Sequence, residues 1–309
     1  MTSPTRLIVA LLLASLAGRS AAWNWTRALK QGDAGADVQE LQIRVAGWAS
    51  DAPRQTFITV DGDYGPATAA AVRRYQFAYR LPVTGVVSAA METSLNALED
   101  TDASTRHFDW SEFTSHDGQG FAGGAVPEAQ VKENIRRLMY KLEALRFKLG
   151  GSSVSVNSGF RSVAYNASIG GAGNSMHTYG VAADIEVAGH ATPQVYQTAE
   201  TCGFSGLEAY TNSWQHCDSR MEYTYGSQFW WWESGLSPLI GSRQDPPTAS
   251  DISALLARSG GLANAAGWMD WDTAPSPSAD PRGLGDGRIS VVDAVRALRR
   301  GRGLESVWP

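Results

Sequence analysis

Over the first hundred residues, apolar positions recur with the period of a helix. Val38, Leu41 and Val45 fall at i, i+3 and i+7, one face of a helix that follows Gly35-Ala36-Asp37. A second helix is predicted from Thr68 through Tyr79, with Ala71, Val72, Tyr75 and Tyr79 on one side. Between them, Asp61-Gly62-Asp63-Tyr64-Gly65-Pro66 is turn chemistry. Leu81-Pro82-Val83-Thr84-Gly85 turns the chain again before a shorter helix from Ser88 to about Leu98. The stretch from Glu99 to Arg106 is polar and aperiodic, and reads as a solvated linker.

Helical periodicity returns at Val126-Pro127-Glu128, with an early Pro and an acid in the first turn. Val131, Ile135, Leu138, Met139, Leu142 and Leu145 mark its buried face, and Gly150-Gly151 stops it. The period then changes to two. Val154 and Val156 alternate with polar residues in a strand running into Ser158-Gly159-Phe160-Arg161. A strand is predicted at Val181–Val187, a helix from Pro193 to Cys202, and a last strand around His216. This order predicts an α+β domain over 107–232, an antiparallel sheet with helices to one side, preceded by a three-helix module over 27–98.

Composition adds bounds. With 309 residues, 43% hydrophobic and 18% charged, the chain is globular and long enough for two or three domains. A net charge of −5 argues against a nucleic-acid partner, which would want a basic face. Residues 1–22 have the form of a signal peptide: Arg6, the apolar run Leu7–Ala14 and the small residues Ser20-Ala21-Ala22. No later segment is apolar and long enough to span a bilayer, so a secreted protein free of the membrane is expected. Cys202 and Cys217 are either bridged, which secretion permits, or two buried thiols; the bridge is the favoured expectation. Asn24-Trp25-Thr26 and Asn166-Ala167-Ser168 are acceptor sequons. Trp230-Trp231-Trp232 either stacks on sugar rings or packs into a core or domain interface.

The first module resembles the three-helix peptidoglycan-binding module found beside many wall hydrolases. The resemblance rests on Leu29, Gly32, Gly35, Val38, Leu41, Gln42, the Asp61–Pro66 cluster, Thr68, Val72, Tyr75, Gln76, Leu81 and Thr84-Gly85. It implies peptidoglycan as a partner. The loop between Gly47 and Val60 is longer than that pattern needs.

The second domain resembles the zinc D-alanyl-D-alanine carboxypeptidase and murein endopeptidase family, which shares its zinc core with lysostaphin-type peptidases and hedgehog domains. The matching runs are Ser158–Ser162, Tyr165-Asn166, Gly170-Gly171-Ala172, Ser175-Met176-His177, Gly180, Ala182-Ala183-Asp184, Gly206, Tyr210 and His216-Cys217-Asp218. The resemblance implies Zn²⁺ held by His177, Asp184 and His216, two imidazoles and a carboxylate with one position left for water. It implies that Arg161 holds a terminal carboxylate of the stem peptide; the competing role is bracing Asp184. Ser175 lies in the same motif. Ser213 stands where many relatives carry an acidic general base, so the candidates here are Glu208 and Asp218. Asp218 is preferred because, two residues after a ligand, it shares that ligand's strand face; a role orienting the ligand is the alternative. The function implied is a secreted zinc metallopeptidase cutting peptidoglycan stem peptides; the other reading is a non-catalytic wall-binding protein on the same scaffold.

In the tail, 246–309, Thr248–Leu256 and Ser290–Leu298 read as two copies of a short helix. Asp286-Gly287-Arg288-Ile289 with Asp293 resembles half of a dockerin-type calcium loop. Arg282 and Leu284 occupy the upstream acidic positions, so a helical appendix without calcium is favoured over a cohesin-binding module.

Overall fold

The computed structural model describes residues 23–208, 214–226 and 228–232. The signal-peptide reading, Tyr210, Ser213 and the tail with its calcium and cohesin readings lie outside these residues.

Three helices form the first module: α1 (Ala36–Arg44), α2 (Pro66–Ala78) and α3 (Ala89–Asn96). Pro66 starts α2 where its missing N–H costs nothing, and the Ser88 side chain caps α3 by accepting from the Met91 amide. The Gln42 amide ties the turn cluster to α1, donating to Asp61 Oδ1 at 2.7 Å and to the Asp63 carbonyl at 3.0 Å.

The second unit is built on α4 (Glu128–Lys148), whose apolar stripe enters one core with the sheet. Short helices α5 (Val163–Ser168) and α6 (Thr192–Ala199) flank the strands. The strands are β1 (Val154–Ser158), β2 (Ala182–Val187), β3 (Gly206–Glu208), β4 (Gln215–Asp218) and β5 (Trp231–Trp232), in the order β1-β2-β4-β3-β5. The first four pair antiparallel, as the sequence predicts, but β5 joins β3 in parallel, so the sheet is mixed. The α+β layout holds.

Glu99–Arg106 is solvated only in part. Ser104 and Thr105 are buried, Thr105 bridges to both Glu99 and Phe108, and the Glu99 carboxylate is buried against Arg44. Asp100, Thr101, Asp102 and Arg106 stay exposed, so the segment is packed on one side and solvated on the other.

The two units share a core. Tyr140 and Ala144 of α4 pack into the apolar cluster of the first module. Glu40 of α1 accepts from Arg44 Nε at 2.6 Å and from Arg136 of α4, all three buried. The long loop after Gly47 supplies the rest of the joint. A β-carbon on Gly47 would lie 2.4 Å from that of Ala144, so only glycine permits this approach. The half-buried Lys148 side chain donates from its ammonium to the carbonyls of Gly47 at 3.1 Å, Ser50 at 3.2 Å and Thr201 at 3.1 Å. The loop that looked surplus in sequence is therefore a clasp.

The expected Cys202–Cys217 bridge is not formed. Both thiols are free and buried in the peptidase core. Cys202 Sγ donates to the Thr198 carbonyl at 3.4 Å, and burial pushes the Cys217 thiol well up. They serve as small apolar side chains.

Candidate metal centre

Strand pairing creates the site. The register Asp184↔His216 sets these residues side by side on one face of the sheet. His177 arrives separately, from a 3₁₀ turn over Met176–Tyr179. Gly180 ends that turn at φ +71°, and a β-carbon there would lie 2.9 Å from the Val131 carbonyl oxygen. The turn is thereby seated on α4 with His177 aimed at the sheet.

His177 Nε2 lies 3.3 Å from His216 Nδ1 and 3.3 Å from Asp184 Oδ1. His216 Nδ1 lies 2.9 Å from the same Asp184 oxygen. Each residue offers one ligand atom, and the three atoms lie within 4.8 Å of one another. Both rings are fixed from behind. His177 Nδ1 donates to the Gly159 carbonyl at 2.6 Å, and His216 Nε2 donates to Asp218 Oδ2 at 3.1 Å. With those nitrogens protonated, His177 Nε2 and His216 Nδ1 present lone pairs to a common point beside a carboxylate oxygen. That donor set fits Zn²⁺.

The electrostatics agree. Burial pulls His177 below its ordinary pKa. Burial also opposes a charge on His216, yet its bonds to Asp184 and Asp218 override this and raise it to about 9. Asp184 is buried too, but the two imidazoles hold it well below the usual carboxylate range. The carboxylates draw positive charge into the space between the rings, a demand that a divalent cation meets.

The other predicted residues divide. Arg161 braces Asp184: Nη2 donates to Asp184 Oδ2 at 2.6 Å, and Nε donates to Ser158 Oγ at 2.7 Å. Ser175, half-buried, precedes the His177 turn, and its carbonyl accepts from the Thr178 amide and hydroxyl. Asp218 is fully buried behind His216, where Arg220 donates to it from Nε and Nη2 at 3.0 and 2.6 Å. Burial would raise its pKa, but His216 and Arg220 lower it to about 2. A β-carbon on Gly206 would fall 2.1 Å from its carboxylate, so that glycine makes room for it. Glu208 stands elsewhere: the register Glu208↔His216 puts its half-buried side chain on the same sheet face as the ligand.

His107, His116 and His190 lie apart from this group. His107 bonds Glu143, His116 packs near the Tyr165 ring and His190 lies by Ser152. Asn166 of the second sequon is buried and donates to the Ala172 carbonyl at 2.9 Å, whereas Asn24 is exposed. The Gly159 carbonyl escaped sequence reasoning, because a backbone acceptor leaves no mark on residue type.

Residues 106–218 match the family described as peptidase M15, and residues 34–95 match a putative peptidoglycan binding domain. Over 185 residues, 60% of this chain and 71% of the relative, the sequence is 36% identical to the zinc D-Ala-D-Ala carboxypeptidase of Streptomyces albus G. The chain belongs to the peptidase M15 family. The M15 match contains His177, Asp184 and His216, and it ends at Asp218, before the tryptophan run. Among the described residues, no helix is long and apolar enough to cross a membrane.

Proposed function

We propose that this M15 protein is a zinc peptidase that hydrolyses the D-alanyl peptides of peptidoglycan, with its first module binding the wall. The observation that carries this is the convergence of His177 Nε2, Asp184 Oδ1 and His216 Nδ1, with both rings oriented from behind. These three side chains would hold the zinc. Bound there, the ion would acidify a water and polarise the carbonyl of the scissile bond.

The chain's own residues supply the rest. Glu208 takes the proton from the attacking water and returns it to the leaving amine. Its place across from His216, half-buried, supports that role. Asp218, sealed behind His216 and occupied by Arg220, instead positions the ring. This reverses the order of preference drawn from spacing. Arg161 fixes Asp184 through Nη2 and Ser158 through Nε, which leaves Nη1 to donate to the terminal carboxylate of a substrate. That favours release of a terminal residue over cleavage inside a cross-link. Ser175, half-buried, stands two residues before His177 at the start of the same turn. The match over 34–95 supports wall binding, and such a substrate supports a location outside the cytoplasm or on the wall.

The test is to purify the full chain, measure zinc, and follow release of D-alanine from a peptide ending in D-alanyl-D-alanine. One zinc per chain with D-alanine release is the expected result. Stoichiometric zinc with no cleavage of any wall peptide would remove the catalytic reading.

A further inference from the structure

Three consecutive indoles follow the last ligand strand, and the fold gives each a different place. Trp232 packs against the peptidase core and donates Nε1 to the Phe204 carbonyl at 3.1 Å. Trp230 meets Phe57, from the loop of the first module, at 6.1 Å between centroids. Trp231 stands by the metal centre, its ring centroid 5.9 Å from that of His216. In the register, Trp231 is level with Gly206, and Gly206 with Asp218. Trp231 therefore projects from the sheet face that carries His216, Asp218 and Glu208.

The Arg220 guanidinium lies 4.6 Å from the Trp231 centroid, and Asp218 holds that same guanidinium. One carboxylate thus fixes both a ligand ring and, through Arg220, the indole. Trp231 remains half-buried. Trp231 lies on the sheet face that carries Glu208 and His216, so the part of its ring left open borders the ground between those two residues rather than a site several bonds away. The arginine charge against the ring also makes it a poor partner for a cationic side chain.

We propose that Trp231 is a specificity-determining residue, the apolar wall that receives the methyl group of a D-alanyl residue adjoining the scissile bond. This rests on the zinc peptidase reading above. Removing one methyl-sized contact from such a wall should cost about tenfold in discrimination.

The experiment compares wild type, Trp231→Ala and Trp231→Phe, each as the zinc-loaded full chain. Substrates are a peptide ending in D-alanyl-D-alanine and versions with glycine at either of the last two positions. In Trp231→Ala, kcat/KM should fall about tenfold on the D-alanyl peptide, mainly through KM, and stay within about twofold on one glycyl version. Trp231→Phe should keep most of the preference, and zinc content should be unchanged in both variants. Equal losses on all peptides, or an unchanged preference, would overturn the inference while leaving the peptidase reading intact. A zinc-loaded wild type that cleaves none of them would overturn both.

Discussion

His216 Nε2 lies 3.1 Å from Asp218 Oδ2, on the side of the ring away from the ligand cluster. The contact fixes which nitrogen carries the proton and hence which lone pair faces Asp184 and His177. Asp218→Asn keeps the shape but removes the charge. It should weaken zinc binding by about 10–100-fold, measured by competition with a chelator, while the fold persists.

Glu208→Gln should behave in the opposite way. The side chain shares the face of His216 but takes no part in the ligand cluster. Zinc stoichiometry and affinity should hold, while kcat falls by about 10²–10⁴. Loss of zinc in this variant would show that Glu208 supports the metal rather than the proton transfer.

His177→Ala removes one of the three converging atoms and leaves the Gly159 carbonyl facing water. Zinc and hydrolysis should be lost together, read by metal analysis of dialysed protein. Zinc held at wild-type affinity would count against the ligand set.

The joint between the units should be sensitive to a single methyl. Gly47→Ala would press a β-carbon against Ala144 and the Lys141 backbone, costing about 1–3 kcal/mol by thermal or denaturant unfolding. Adding Ala144→Gly should return part of that loss, since the nearest clash is with the Ala144 β-carbon.

Acid should loosen the same joint. Glu40 is fully buried, and although burial would raise its pKa, Arg136 and Arg44 lower it to about 2. A carboxylate lowered in this way contributes stability above its unfolded value of 4.5 and loses it as pH falls toward 2. The melting temperature should drop across that window, and Glu40→Gln should flatten the drop. The contribution at stake is on the order of 3 kcal/mol.

The chain alone announced its chemistry and most of its helices. Val131 through Leu145 marked the long helix because its stripe is buried along its whole length, and period-two alternation marked β1. The resemblance of the runs around His177, Asp184 and His216 to a zinc peptidase family implied the ligand set, and the fold brings those three side chains together. Sequence preferred Asp218 to Glu208 on spacing alone, and it told neither the separate places of Trp230, Trp231 and Trp232 nor the packing of the loop after Gly47 against Ala144 and Lys148. Each of those depends on strand register or on contact between segments far apart in the chain. Asp218 and His216 do share a face, as spacing predicted, but only the packed structure puts Arg220 on that carboxylate and closes it from solvent. Local periodicity tells a side chain which way to point; what it meets there is decided by the tertiary fold.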